Sequence, residues 1–191
     1  MSEQHELNLA VIIGSTREGR FAPRVARWFE TAVRTNGGFA LDVIDLAEAD
    51  LPAVLAPKPT RAVERYRDRL AAADAFVVVT PEYNHGYPAP LKQAIDLAYK
   101  EWQAKPVGFV SYGGMSGGLR AVEQLRQVFA ELHATTIRDV VSLHNPWALF
   151  DDDARTHEPT GADAAAKTML DQLAWWGAAL RTARQARPYA A

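Results

Sequence analysis

The chain has 191 residues, 48% apolar and 23% charged, and 21 Lys+Arg against 23 Asp+Glu give a formal net charge of −2. This length suits one globular domain over residues 1–191, with a core that needs no covalent staple. The charge balance argues against the basic surface that nucleic acid or an anionic membrane would require, and the lack of cysteine excludes disulfides, thiolate metal centres and thiol nucleophiles. Met1–Asn8 is polar, carries Glu3 and Glu6, and lacks the basic-then-apolar plan of a secretion signal. No apolar run approaches the ~20 residues of a membrane span. A cytoplasmic protein is expected.

Leu7–Ile13 is rich in Leu, Val and Ile and stops at Gly14. It is too short for a helix and reads as a buried strand. Pro23 suits the first turn of the next helix, whose apolar stripe is Ala22, Val25, Phe29, Ala32 and Val33 and whose stop is Gly37-Gly38. Phe39–Leu46 is predicted as a second strand, and Leu51–Thr60, with three prolines, as a loop. Arg61–Ala73 is a charged helix with Val63, Tyr66 and Leu70 on one face. Ala75–Thr80 is an unbroken apolar run, as expected of a parallel strand covered on both faces. Pro81–Pro90 reads as a loop, and Leu91, Ala94, Ile95 and Ala98 as the stripe of a further helix. Pro106–Ser111 is a fourth strand, Leu119–Leu132 an amphipathic helix and Thr135–Leu143 a fifth strand. Asn145–Gly161 is long and irregular, and Ala164–Ala186 is an Ala-rich closing helix.

Strict alternation of strand and helix predicts an α/β fold with helices on both faces of a parallel sheet. Five strands are too few for an eight-stranded barrel, which leaves an open, doubly wound sheet of flavodoxin-like order 2-1-3-4-5. Ligands of such sheets bind beyond the carboxyl ends of the strands, near the switch in strand order. The loops after strands one, three and four meet there, and these are the loops of unusual composition.

Gly14-Ser15-Thr16-Arg17-Glu18-Gly19-Arg20 leads into a helix N-terminus. Unpaired N–H groups and the positive end of the helix dipole favour an anion at such a place. Two hydroxyls and two guanidinium groups add donors, so a phosphate is the natural guest. The loop comes near the pattern G-x-x-x-x-G-K-[ST], but Arg20 replaces the lysine and Phe21 the Mg²⁺-holding hydroxyl residue. The glycine spacing also fails G-x-G-x-x-G. A phosphate monoester held without metal fits better, and flavin mononucleotide (FMN) is one such ligand. Thr80–Pro90 mixes Pro, Gly and aromatic residues in rigid turns against which a flat heterocycle could lie. Tyr112–Gly118 holds four glycines in six positions, Gly113, Gly114, Gly117 and Gly118, which lets main chain approach a ligand closely.

Together these residues resemble the NADPH-dependent FMN reductase family, a flavodoxin-fold group related to quinone and azo reductases. Gly14-Ser15-x-Arg17 matches the family's phosphate loop. Pro81-Glu82-Tyr83-Asn84, followed by Pro88-x-Pro90-Leu91-Lys92, matches its flavin-ring segment. Tyr112-Gly113-Gly114 and Ser116-Gly117-Gly118 match its pyrimidine-side loop. The resemblance covers roughly residues 7–140 and fades after about 145. It implies that Ser15, Arg17, Gly19, Arg20 and Phe21 hold the FMN phosphate. It further implies that Pro81, Glu82, Tyr83 and Asn84 line the isoalloxazine, and that Tyr112, Gly113, Gly114, Gly117 and Gly118 frame its polar edge. NADPH or NADH would reduce the flavin, and a small acceptor such as a quinone, an azo compound or free flavin would reoxidise it. The family habit is a dimer, sometimes a tetramer. No side chain is assigned as an acid, base or nucleophile, because the flavin carries the hydride chemistry itself.

The remaining features read as structural. Asp151-Asp152-Asp153 lacks EF-hand spacing and reads as a solvated acidic loop. His5, His133, His144 and His157 lack metal-ligand spacing, so no metal is expected. Tyr99 and Trp102 are expected to extend the exposed end of the helix beginning at Leu91 and to meet a partner subunit, with the contact running over Tyr87–Trp102. The competing functions are an electron carrier or FMN-binding regulator without nicotinamide activity, and a phosphosugar or nucleotide enzyme on the same architecture.

Overall fold

The computed structural model describes residues 6–151, 153–154 and 161–190. His5, Asp152, His157 and most of the segment before Gly161 lie outside the described residues. Five strands and five helices alternate: β1 (Leu7–Ile13), α1 (Ala22–Asn36), β2 (Phe39–Asp45), α2 (Arg61–Ala72), β3 (Ala75–Pro81), α3 (Ala89–Asp96), β4 (Pro106–Gly113), α4 (Leu119–Glu131), β5 (Thr135–His144) and α5 (Gly161–Ala186). The sheet runs β2-β1-β3-β4-β5, with every pairing parallel. This is the expected flavodoxin-like order. Among the described residues, no helix is long and apolar enough to cross a membrane.

The two faces of the sheet bury separate cores. Leu9, Val11, Val77 and Val79 pack with α1 and α5, whereas Ala10, Ile12, Phe76 and Val78 pack with α2, α3 and α4. Alternate residues of one strand thus serve opposite layers, and all seven residues of β3 are buried. Thr60 caps α2 through its hydroxyl, which accepts from the Val63 N–H. Gly37, at φ 72, ends α1. At the N-terminal end of the sheet, Asp74 pairs with Arg181 and Arg184 at 3.2 Å each, tying α5 to the start of β3. Beside it, the buried Lys105 ammonium donates to the Leu70 and Ala71 carbonyls at the end of α2.

The structure corrects the sequence reading at Trp102. Helix α3 ends at Asp96 rather than Ala98, and a 3-10 turn over Lys100–Trp102 follows. Trp102 then turns inward and is fully buried. Its ring meets Phe76 and Phe129 edge-on, with centroids 4.7 and 5.4 Å apart, and its N–H donates to the Ile95 carbonyl at 3.1 Å. An indole anchored in this way is core and is unavailable to a partner. Tyr99 remains half exposed, against His133.

Candidate functional site: three loops at the strand ends

Strands β3, β4 and β5 each run further than expected, to Pro81, Gly113 and His144. Tyr112 therefore stands on a strand end beside Pro81, its partner in register. The three loops singled out in the sequence converge here. The Ser15 and Tyr83 hydroxyls lie 2.8 Å apart, joining the first loop to the second. The Glu82 N–H donates to the Tyr112 carbonyl at 3.0 Å, joining the second to the third.

In the first loop, Arg20 and Arg17 have different surroundings. Arg20 grips both oxygens of Asp45 at 2.5 and 2.7 Å and donates to the Ser15 carbonyl at 2.7 Å. The hydrogen bonds that Arg20 donates to Asp45 raise its pKa further, against the opposing effect of burial. Its guanidinium thus braces the loop against the end of β2. Arg17 is exposed, with its guanidinium carbon 5.8 Å from the centre of the Tyr83 ring. The N–H groups of Thr16, Arg17, Glu18 and Gly19 donate to no main-chain carbonyl among the described residues. Gly19 takes φ 64, which turns the chain into α1. Phe21 is the N-cap residue of α1 and offers no side-chain cap; its ring packs with Phe150 and Tyr112 at 6.2 and 6.5 Å. Ser15 is fully buried beneath Tyr83.

The second loop is built on a tight reversal. Tyr83 and Gly86 exchange main-chain hydrogen bonds of 2.9 and 3.1 Å, and the central residues Asn84 and His85 take φ 49 and 76. Two left-handed residues in succession match a type I′ turn, in which Asn is favoured. Glu82 turns to the third loop instead of outward. One carboxylate oxygen accepts from the Ser116 hydroxyl at 2.5 Å and the Arg120 N–H at 3.1 Å. The other pairs with the Arg120 guanidinium. Burial works against the charged carboxylate, but Ser116 and Arg120 outweigh it and hold the pKa below its ordinary value. Burial also raises the Tyr112 pKa, the Tyr83 phenol adds to this, and Ser15 and Arg20 oppose it.

The third loop has two kinds of glycine. A Cβ on Gly117 would lie 2.3 Å from the Ser142 hydroxyl, and one on Gly118 would lie 2.7 Å from the Ser111 Cβ; both residues take positive φ. These two glycines are required by the packing of the turn itself. Gly114 is open, with Asn145 Oδ1 3.9 Å from its notional Cβ. The N–H groups of Gly114, Met115 and Ser116 donate to no main-chain carbonyl among the described residues.

A phosphate monoester carrying a carbonyl-rich heterocycle fits this donor set. Uncommitted amides and Arg17 lie at the helix N-terminus, Tyr83 offers a flat face, and further amides lie at the glycine turn. The nearby carboxylates of Asp45 and Glu82 are neutralised by Arg20 and Arg120. Among the described residues no group of side chains could hold a metal ion.

The sequence reading missed Asp45, Arg120, Ser111 and Ser142, which hold the loops rather than line them. Hydroxyls at adjacent strand ends, where such sheets bind ligands, were the available signal. It also passed over the β2–α2 loop. That loop and the start of α3 enclose a cleft of about 500 Å³ lined by Thr16, Leu46, Asp50, Leu51, Pro90 and Gln93 among others. The following residues, Val54 and Leu55, are exposed.

The profile of the NADPH-dependent FMN reductase family matches residues 7–148, which contain all three loops. The chain is 37% identical over 131 residues to an NAD(P)H-dependent FMN reductase of Schizosaccharomyces pombe, covering 63% of this chain and 64% of that one. It thus spans just under two thirds of that relative's length. It is 34% identical over 152 residues to the NAD(P)H-dependent FMN reductase LOT6 of Saccharomyces cerevisiae, covering 70% and 79% of the two chains. A quinone reductase of Pseudomonas putida is 30% identical over 181 residues, covering 88% and 94%. In fold, the chain is similar to FerB, a flavoenzyme NAD(P)H:(acceptor) oxidoreductase from Paracoccus denitrificans, with a TM-score of 0.75 at 22% identity and coverage of 91% and 98%. By a profile that takes in every site-forming loop, and by relatives matched along most of its length, the chain belongs to the NADPH-dependent FMN reductase family.

Proposed function

We propose that the chain is an FMN-dependent oxidoreductase that takes hydride from NADPH or NADH and passes it to a small oxidised acceptor, a quinone, an azo compound or free flavin. The two half-reactions alternate in one space, as in ping-pong kinetics. One observation carries this reading. At the strand ends, the exposed Arg17 and amides without a main-chain partner gather at the start of α1, while Asp45 and Glu82 are each paired with an arginine. Arg17 and the amides of residues 16–19 hold the phosphate, with Ser15, Arg20 and Phe21 shaping the loop beneath. Pro81, Tyr83 and Asn84 line the ring, and Glu82 fixes that segment against the glycine turn. The amides of the glycine turn meet the carbonyl edge, where donors already in place stabilise negative charge as it develops. When bound, FMN supplies the hydride-accepting ring. The protein acts as a homodimer, or as a pair of dimers, that shields the ring from water.

An anaerobic titration tests the reading. The FMN-loaded protein is expected to be yellow, to bleach with NADPH or NADH under argon, and to regain colour with a quinone. A yellow protein that neither nucleotide bleaches overturns the reductase in favour of an electron carrier or FMN-binding regulator.

A further inference from the structure

Ser111 on β4 and Ser142 on β5 are partners in register. Both donate to the Gly117 carbonyl, at 2.8 and 3.0 Å. A carbonyl oxygen has two lone pairs, so the two hydroxyls saturate it. Gly117 and Gly118, at φ 58 and 86, let the chain come close enough for this; a side chain at either position would strike the serines themselves. The turn is pinned at two other places. The Gly113 carbonyl accepts from the Asn145 N–H at 2.8 Å, and the Ser116 hydroxyl donates to Glu82 at 2.5 Å. These anchors engage two carbonyls and one side chain, and leave the amides of residues 114–116 without a main-chain partner.

We infer that Ser111 and Ser142 are positioning residues that set the reduction potential of the bound flavin. The inference rests on the proposed reading, in which the glycine turn meets the flavin's carbonyl edge. Reduction by hydride adds two electrons to the ring and places negative charge at that edge. Amides fixed beforehand stabilise this charge without reorganising, whereas loose amides must first be ordered. Oxidised FMN carries less charge there and gains less from the fixation. Removing one hydroxyl therefore weakens the reduced complex more than the oxidised one.

The experiment is a redox titration of the FMN-loaded protein and its Ser142→Ala variant, together with the affinity of each for oxidised FMN. Ser142 is half buried and Ser111 keeps one lone pair of the carbonyl occupied, so the variant folds. Oxidised-FMN affinity is expected to stay within about threefold of the parent while reduced-FMN affinity falls about tenfold, because only the reduced ring develops charge at the turn. For a two-electron couple each tenfold of difference between the two losses is worth about 30 mV, so the midpoint is expected to fall by about 15–30 mV. Ser142→Thr, which keeps the hydroxyl, is expected to retain the parental potential. Ser111→Ala, which removes the other donor, carries the same expectation as Ser142→Ala. A parental potential in both alanine variants overturns the inference, as does an equal loss of affinity for both redox forms. Failure of the parent itself to bind FMN overturns the functional reading instead.

Discussion

Arg17 and Arg20 belong to one loop, but Arg17 is exposed whereas Arg20 is clamped to Asp45 and the Ser15 carbonyl. Arg17→Ala removes an exposed charged donor and is expected to weaken FMN binding by roughly 1.5–3 kcal/mol, the worth of a charged hydrogen bond, with an unchanged melting temperature. Unaltered affinity in a fluorescence titration removes Arg17 from the phosphate site. Arg20→Ala instead breaks a largely buried two-pronged pair with Asp45. It is expected to cost stability, by roughly 1–3 kcal/mol in a denaturant melt of the protein without FMN, between the values for exposed and buried pairs. Glu82 carries the pH dependence of the site. Its folded pKa lies below the ordinary 4.5, so its contribution is complete above that value and is lost as pH falls through the folded one. Glu82→Gln is therefore expected to destabilise the protein by roughly 1.5–3 kcal/mol at pH 7 and progressively less in acid melts below pH 4.5. A difference that persists undiminished at low pH contradicts this role. The residue types of the site were legible in the sequence, but their partners were not. Asp45 is 25 residues from Arg20 and Ser116 is 34 from Glu82, distances that only the strand register closes.

The glycine turn separates two effects that its sequence merges. Gly118→Val forces a side chain into backbone and Ser111 at a left-handed residue, so it is expected to destabilise the fold whether or not FMN is present. Gly114→Val has room and lies outside the positive-φ set, so it is expected to melt near the parental temperature and to lose flavin. Full retention of FMN by that variant shows that the turn does not border the ring. Helix α3 illustrates a limit of periodicity. The stripe Leu91, Ala94, Ile95 continues through Leu97 and Ala98, which are also buried, so apolar spacing alone runs past Asp96. Past Asp96 the Ile95 carbonyl accepts from the Ala98 N–H and the Trp102 indole, and the Tyr99 N–H turns to the Glu101 carboxylate. At the opposite end of the sheet, burial lowers the Lys105 pKa to about 8, Arg184 repels its charge, and Asp74 and Glu101 oppose the shift. Between this value and the ordinary 10.5 the unfolded chain binds more protons than the folded one, so stability rises with pH in that window. From pH 8 to 10 the Lys105 contribution is on the order of 2 kcal/mol and is expected to vanish in Lys105→Met. Identical pH profiles in the two proteins refute a buried charge at Lys105.

At the scale of the whole molecule, the doubly covered parallel sheet could be read because unbroken apolar strands alternate with helices. The assembly could not be read in the same way, because a large aromatic residue near a helix end serves core and interface equally well. With Trp102 in the core, the exposed apolar groups nearest the site become the relevant ones. Val54 and Leu55 follow the β2–α2 cleft, and Met115, 92% exposed, tips the glycine turn. These residues are on loops at the carboxyl ends of the strands, where the ring is expected to bind, whereas the outward side of α3 carries the Lys92–Asp96 pair at 2.5 Å. Hydride transfer benefits from excluding water, and a second copy seated on this rim would cover the ring and the apolar groups together. Light scattering of the FMN-loaded protein is expected to give at least twice the 21.0 kDa of one chain. Leu55→Glu, at a residue already 56% exposed, leaves the fold intact and is expected to shift the mass toward one chain and lower reductase activity in parallel. A parent that scatters as a single chain refutes the assembly. A fully active single-chain variant shows that one copy completes the pocket alone.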